Sequence, residues 1–489
     1  MDAHGSLIQA LMETEGLALH RFFVPAHAGI AYHPWLERVK SVLPWDVTEL
    51  PLLDTLSEPE GVLQALQTRM AAWAGAGASF CLVNGASVGL HAALMSVCTP
   101  TDGVLAPRNV HRATYAGFVH AGVTPYWFYP TYLDSWGVWG AVTPEQLTLA
   151  WEALSQEVQR TVKALVLTSP TYEGMISPLR ELVAWCHARG LVCIVDESHG
   201  SYFSIHEASY PYAALHAGAD IVVQSWHKTL GSLTQSAVLH LGKGFATPER
   251  CLRVQQVLNS LQTTSPSYLL LVSLEACLDY WQSEEGFTQW HTHQQRVQQL
   301  YTRLETALTH PNAHALFPYE GTASPFLHDP LKLWIRHGGC TPDYPVFLEE
   351  QYGLAFEQCT LHGVLYMLHP HLPSSAFEAL ERAWSIPPDS SWFQEEAPYT
   401  SCLKLPTLPL PVTYLTPREA FFHQAPKTYV QHPQACVGKM AAEVVVHCPP
   451  GVPVLYTGEC IQEAHLPWLF PSQYGIPSER ETEGVWVFV

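Results

Sequence analysis

The stretch ADIVVQSWHKTLGSLTQ (219–235) decides the fold reading, because a β-branched apolar run stops at a polar cluster that contains a lysine. IVVQ reads as a buried strand, with SWHK at its C-terminal end. Ligands in open α/β sheets bind outside those ends, which puts Lys228 where a ligand would sit. An amine partly desolvated there can lose its proton and attack an aldehyde. Taken alone, Lys228 also reads as a surface loop lysine.

Two further strand ends lie upstream. LVCIVDESHG (191–200) places Asp196 after an apolar run, where a buried carboxylate needs a cationic partner. A protonated ring nitrogen would be one, and a helix N-cap is the plainer reading. FCLVNGASVGLHAAL (80–94) is a strand, a small-residue turn and a helix. Its opening amides at Gly85, Ala86 and Ser87 could receive a phosphate, although such turns are often only structural. Between these, ALVLTSP (164–170) reads as a strand and ELVAWCHAR as a helix, with Ser177 as cap, Pro178 at its first position and Gly190 at its end. Strands alternating with helices over residues 60–250 predict an α/β fold with a mostly parallel sheet.

Composition narrows the function. Lys+Arg number 24 against 44 Asp+Glu, a formal net charge of −20 that repels nucleic acid and anionic lipid and favours a cationic small molecule. The twelve cysteines include no C-x-x-C pair, and several lie in apolar runs, which suits reduced thiols in a cytoplasmic enzyme. No secretory leader or apolar span of membrane length is visible, so no membrane is expected. The 26 histidines lack a Cys/His framework, and no dedicated metal site is expected.

Phosphate cradle, ring-nitrogen carboxylate and lysine, in that chain order, resemble the aspartate-aminotransferase-like (fold type I) enzymes that use pyridoxal 5'-phosphate. The resemblance narrows to the Orn/Lys/Arg decarboxylase family. It is carried by DVTELPLLDTLSEPEGVLQALQ, LVNGASVGLHAAL, PRNVHRA, SPTYEGM, DESHG, SWHKTLGSLTQSAVLH and LQTTSPSYLL, in the same order, and by LTPREAFF and CPPGVPVLYTGE further on.

This resemblance implies that Lys228 holds the cofactor as a Schiff base, that Asp196 faces the ring nitrogen and that His111 stacks on the ring. Gly85, Ala86, Ser87, Ser225 and His227 would hold the phosphate, and His199 would lie beside the ring. Thr264 and Ser265 would reach the phosphate from a second subunit, which implies a homodimer or higher oligomer with its active site at the interface. His111 and the TTSPS turn also read as an ordinary helix start and a capped turn. A basic side chain calls for an acidic pocket, for which Glu459 and then Asp54 are the candidates, both also readable as solvated carboxylates.

The implied domains are an N-terminal segment (1–55), a cofactor-binding large domain (56–270), a small α+β domain with KLWIR and VLYML strands (271–390), and a C-terminal domain (391–489) after a Pro-rich linker at 386–411. The motifs begin within the first few dozen residues, so a large N-terminal wing domain, and decamers built through it, are not expected. The sequence departs from the family pattern at Ala26 in Pro25-Ala26-His27, at Thr55 after Asp54, and at Cys448.

The expected reaction is α-decarboxylation of a basic amino acid. Arginine ranks first, giving agmatine for polyamine biosynthesis, then lysine and ornithine. A transaminase or aldolase of the same fold, and a cofactor-binding regulatory protein without turnover, are the rivals.

Overall fold

The computed structural model describes residues 5–17, 20–133, 136–205, 213–307, 314–315, 327–336, 344–360, 363–385, 409–447, 452–474 and 483–489. In chain order its main elements are helices α1 (Leu7–Gly16), α2 (Val62–Ala74), α3 (Gly85–Val97), α4 (Arg112–Ala121), α5 (Leu179–His187), α6 (Trp226–Thr229), α7 (Pro248–Leu261) and α8 (Tyr268–Gln282). The main strands are β1 (Ala78–Leu82), β2 (Gly103–Pro107), β3 (Thr124–Phe128), β4 (Val162–Thr168), β5 (Val192–Asp196), β6 (Ile221–Gln224), β7 (Ala237–Leu241), β8 (Lys332–Arg336) and β9 (Gly363–Met367). They fall into two compact units, Met1–Val97 with Cys186–Trp290, and Cys98–Trp185 with His291–Val489.

In the first unit the strand order is β1-β7-β6-β5, with β5 and β6 parallel and both pairings of β7 antiparallel. In the second unit β2 lies between β4 and β3, parallel to both. Three of these five pairings are parallel, in keeping with the alternating pattern. The strands β5 and β6 are continuous apolar runs because neither face meets water: Cys193, Ile194, Val195, Ile221, Val222 and Val223 are all fully buried.

Helices form where apolar residues recur at helical spacing. In α8, Leu271, Leu274 and Leu278 share one face and are fully buried; each such leucine stabilises the fold by about 1.5–3 kcal/mol. In α3, Gly89 lets the helix approach the sheet, since a Cβ there would meet Leu82 at 2.7 Å and Val223 at 2.8 Å. That close approach fixes the start of α3 against the ends of β1 and β6. Ser177 does not cap α5 as expected. Its hydroxyl accepts the N–H of Val142 at 3.2 Å, and Pro178 carries the carbonyl that takes the first helical bond from Leu182. A buried orphan N–H elsewhere claims the hydroxyl first.

The second unit also contains an antiparallel sheet in which β8 and β9 are the central pair, matching the two strands expected from KLWIR and VLYML. Nearer the C-terminus, two-stranded pairs (Lys427–Val430 with Val485–Phe488, and Val445–His447 with Val452–Leu455) close over a core that includes Leu455, Ile461 and Leu469. Most of the expected Pro-rich linker, and Cys448, lie outside the described residues. No described helix is long and apolar enough to cross a membrane. Among the described residues nine cysteines are free and no metal-ligating cluster occurs.

Candidate active site

In the first unit, β5 and β6 end side by side and deliver the two expected groups. Asp196 closes β5 and is 4% exposed. Its Oδ1 accepts from the Ser198 N–H at 3.1 Å and from Ser198 Oγ at 2.5 Å, a local turn that fixes the carboxylate. Both hydrogen bonds fall on Oδ1, and Oδ2 has no donor among the described residues. Beyond β6, the backbone turns into α6, with Ser225 buried at its N-cap position and its side chain making no cap bond. Lys228 lies on that turn, and its Nζ is 3.0 Å from Nε2 of His199, which is itself buried in DESHG. The parallel register that sets Asp196 opposite Val223 thus brings Asp196, His199, Ser225 and Lys228 into one corner of this unit.

His227 gives its Nδ1 hydrogen to the Ser236 carbonyl at 2.9 Å. Burial pushes its pKa down, the Lys228 charge adds to this, and the Ser236 carbonyl opposes it. Toward an anion, only the doubly protonated ring can donate from Nε2. The proposed phosphate cradle lies at the start of α3, where Gly85 has φ 78°, a left-handed conformation that glycine adopts at no steric cost. Gln235 and Gln262 tie this turn down by bonding the carbonyl and N–H of Val83 at 2.5 and 2.9 Å. Asn84 Oδ1 accepts the N–H of Thr263 at 3.0 Å, so the exposed TTSPS turn with Thr264 and Ser265 abuts the cradle of its own chain. Sequence reasoning did not single out Asn84, Gln235 or Gln262. Amide side chains facing loop backbone carry no periodic signal.

Asp54 is also in this unit, with its carboxylate spent on the backbone. It accepts N–H bonds from Thr55, Glu60, Gly61 and Leu63 at 2.8, 3.0, 2.7 and 3.1 Å, which anchors the entry to α2. Burial raises its pKa, but these four donors outweigh that and hold it below the usual carboxylate value. Thr55, a departure from the family pattern, supplies one of them. His27 of the altered Pro25-Ala26-His27 pairs with Asp46 at 3.0 Å.

The remaining two candidates belong to the second unit. His111 is the N-cap of α4, is exposed, and accepts the Ala113 N–H on Nδ1 at 3.2 Å. Glu459 is 2% exposed and meets the buried Arg108 through two bonds, at 2.6 and 3.2 Å. Its Oε2 also accepts the Tyr456 N–H at 2.8 Å. The guanidinium lies over Trp127 and Tyr456, 5.0 and 4.6 Å from their ring centres. Although burial alone would lower the pKa of Arg108, the Glu459 charge raises it on balance, and the guanidinium stays charged.

The chain as a whole is similar to known proteins. The family model "Orn/Lys/Arg decarboxylase, major domain" matches residues 7–320. The "Uncharacterized protein YaaO" of Bacillus subtilis is 32% identical, covering 93% of this chain and 91% of that protein. The "Arginine decarboxylase" of Halalkalibacterium halodurans is 30% identical over 92% and 89% of the two chains. Among solved structures, "Lysine decarboxylase A from Pseudomonas aeruginosa" superposes with a TM-score of 0.81 at 17% identity, covering 99% of this chain and 80% of that one, a likeness of fold. With the family match spanning more than half its length and relatives aligned nearly end to end, this chain belongs to the Orn/Lys/Arg decarboxylase family.

Proposed function

We propose that the protein is a pyridoxal 5'-phosphate-dependent decarboxylase that converts L-arginine to agmatine and carbon dioxide. The observation that carries this is the corner formed by Asp196, His199 and Lys228, with the Lys228 amine 3.0 Å from an imidazole nitrogen and the buried Asp196 keeping Oδ2 unbonded. These residues fit the cofactor: an amine for its aldehyde, an unpaired carboxylate oxygen for its ring N–H and a glycine-opened helix start for its phosphate. When bound, the cofactor supplies an electron sink for the pair left behind as carbon dioxide departs.

The chain's own groups do the rest. Lys228 would hold the cofactor through its aldehyde, and Asp196, fixed by Ser198, would face the ring nitrogen and favour its protonated form. The imidazole of His199 and the amine of Lys228 share hydrogen-bond distance, so either can carry the proton returned to Cα. Gly85, Ala86, Ser87, Ser225 and a protonated His227 would bind the phosphate, and His111 would be the residue to stack on the ring. Thr264 and Ser265, exposed on their turn, extend to the phosphate of a second copy in a homodimer.

Arginine is favoured over lysine and ornithine because the relative named arginine decarboxylase aligns over nearly the whole chain. Glu459 and Asp54 are kept as candidate substrate carboxylates, each with a competing anchoring role in view of the bonds it makes. The four-part division at 55, 270 and 390, a cytoplasmic location and a place in polyamine biosynthesis belong to the same proposal.

The test supplies arginine, lysine and ornithine separately to the purified protein with cofactor and identifies the amines by mass. Agmatine is expected. Cadaverine or putrescine alone would reassign the substrate, and an absorbing cofactor adduct without any amine would favour a binding protein.

A further inference from the structure

Behind Asp196 runs a buried polar chain that this reaction scheme does not use. Glu197 is fully buried; its Oε1 accepts the Ala214 N–H and its Oε2 accepts from Gln224 Nε2, both at 2.7 Å. Gln224, fully buried at the end of β6, receives Trp226 Nε1 at 3.0 Å and His240 Nε2 at 3.2 Å on its Oε1. His240, on β7, meets Ser79 of β1 through Nδ1 at 2.7 Å. Strands β1, β7 and β6 and the end of β5 each contribute one polar side chain.

The direction of this chain is fixed. An indole N–H can only donate, so Gln224 must turn its carbonyl to Trp226 and its amide to Glu197. His240 then donates from Nε2, and because burial pushes its pKa down to about 3 it is neutral and accepts the Ser79 hydroxyl on Nδ1. The bonds hand on from Ser79 through His240 and Gln224 to one carboxylate, each polarising the next.

That carboxylate is served by neutral donors alone and sits next in sequence to Asp196. Burial pushes Glu197 up to about 8, with the Asp196 charge acting the same way and the Gln224 and Ala214 bonds opposing. An isolated buried carboxylate is expensive, and a well-packed apolar residue of similar volume would cost the fold less. Its cost is intelligible if its charge is felt next door. Titratable groups on the elements around it are Asp196, His199 and Tyr202 on its own segment, His216 beyond Ala214, Lys228 on α6 and His240 on β7.

We propose that Glu197 is a positioning residue for Asp196: pinned by Gln224 and Ala214, it fixes the turn that aims Oδ2, and its proton sets how much negative charge Asp196 presents to the cofactor ring. This rests on the reading of Asp196 and Lys228 given above.

Glu197→Gln alone would set an amide against the Gln224 amide or the Ala214 N–H and can fail to fold. The decisive variant is the exchange E197Q/Q224E. There the amide at 197 donates to the carboxylate at 224, which also accepts from Trp226 and His240, so every bond is kept and the charge moves one residue away from Asp196. Its apoprotein is expected to melt near the wild-type temperature yet to bind pyridoxal phosphate about tenfold more weakly, the equivalent of one pKa unit. A step near pH 8 is expected in the absorbance of the wild-type bound cofactor, and in the exchange it should move to lower pH.

The same proton is visible without cofactor. With the folded pKa raised from 4.5 to about 8, stability present at low pH is lost as pH rises toward 8. In the exchange the loss ends at lower pH, because three donors rather than two meet the carboxylate. Equal cofactor affinity with an unchanged absorbance curve would overturn the proposal. So would a wild-type protein lacking the step near pH 8, which decides the matter even if no variant folds. Either failure with cofactor still trapped on Lys228 leaves the decarboxylase reading standing, whereas no cofactor on Lys228 removes both.

Discussion

Two buried charged clusters in this molecule differ in how far their bonds are used up. In the second unit, Glu459 and Arg108 satisfy each other twice, Arg108 also donates to the Val454 carbonyl at 2.9 Å, and two aromatic faces cover it. In the first unit, Asp196 uses one oxygen on its own turn and leaves the other without a donor among the described residues, and the Lys228 amine meets the His199 imidazole. Glu459, with both oxygens engaged, has little left to offer a ligand and mainly fixes the fold, while Arg108 keeps only its Nε without a partner among the described residues. A carboxylate with an unbonded oxygen at one strand end, with an amine on the turn after the neighbouring strand, suits a charged, ring-bearing partner. The contrast assigns chemistry by unused bonding capacity, since burial alone does not separate the two sites.

Four substitutions would break or sharpen that contrast. The largest effect is expected from Lys228→Ala, which should abolish amine release while leaving the melting temperature near wild type. Turnover retained in that variant would remove the site from the first unit altogether. Next, Glu459→Gln leaves Arg108 buried without a counter-charge and should cost about 3–5 kcal/mol of stability, read by denaturant unfolding. If it unfolds normally but raises KM for arginine, Glu459 belongs with the substrate and the division between clusters is wrong.

His199→Gln should lower kcat by roughly a hundredfold, the scale of a lost proton carrier, with cofactor affinity little changed. An equal loss of cofactor binding would make His199 a holding group and not a proton carrier. The smallest effect is expected from Asp54→Ala, which removes the anchor of α2 and should cost about 1 kcal/mol, the scale of a lost cap, with KM unchanged. A raised KM at unchanged stability would return Asp54 to the substrate pocket.

The corner of the first unit could be read from the chain because its signals are local. Apolar runs ending at Asp196 and before Ser225 mark strand ends, and Gly85 followed by small residues marks the opening of a helix. The helix at 268–282 follows from the spacing of its leucines. The anchoring of Asp54 is local as well, within ten residues, yet a loop in which one carboxylate collects five N–H groups has no period to detect.

What the sequence by itself determined, then, is the order of strands and helices and the placing of Asp196 and Lys228 at strand ends, since a β-strand's buried run and a helix's spacing are properties of neighbours in the chain. Only the tertiary structure decided that Glu459 pairs with Arg108, 351 positions away, that Trp127 stacks on Tyr456, and that Glu197 closes a hydrogen-bond chain from Ser79. Such partners are chosen by strand register and by the need to satisfy every buried polar atom, and both exist only once distant segments have been brought together.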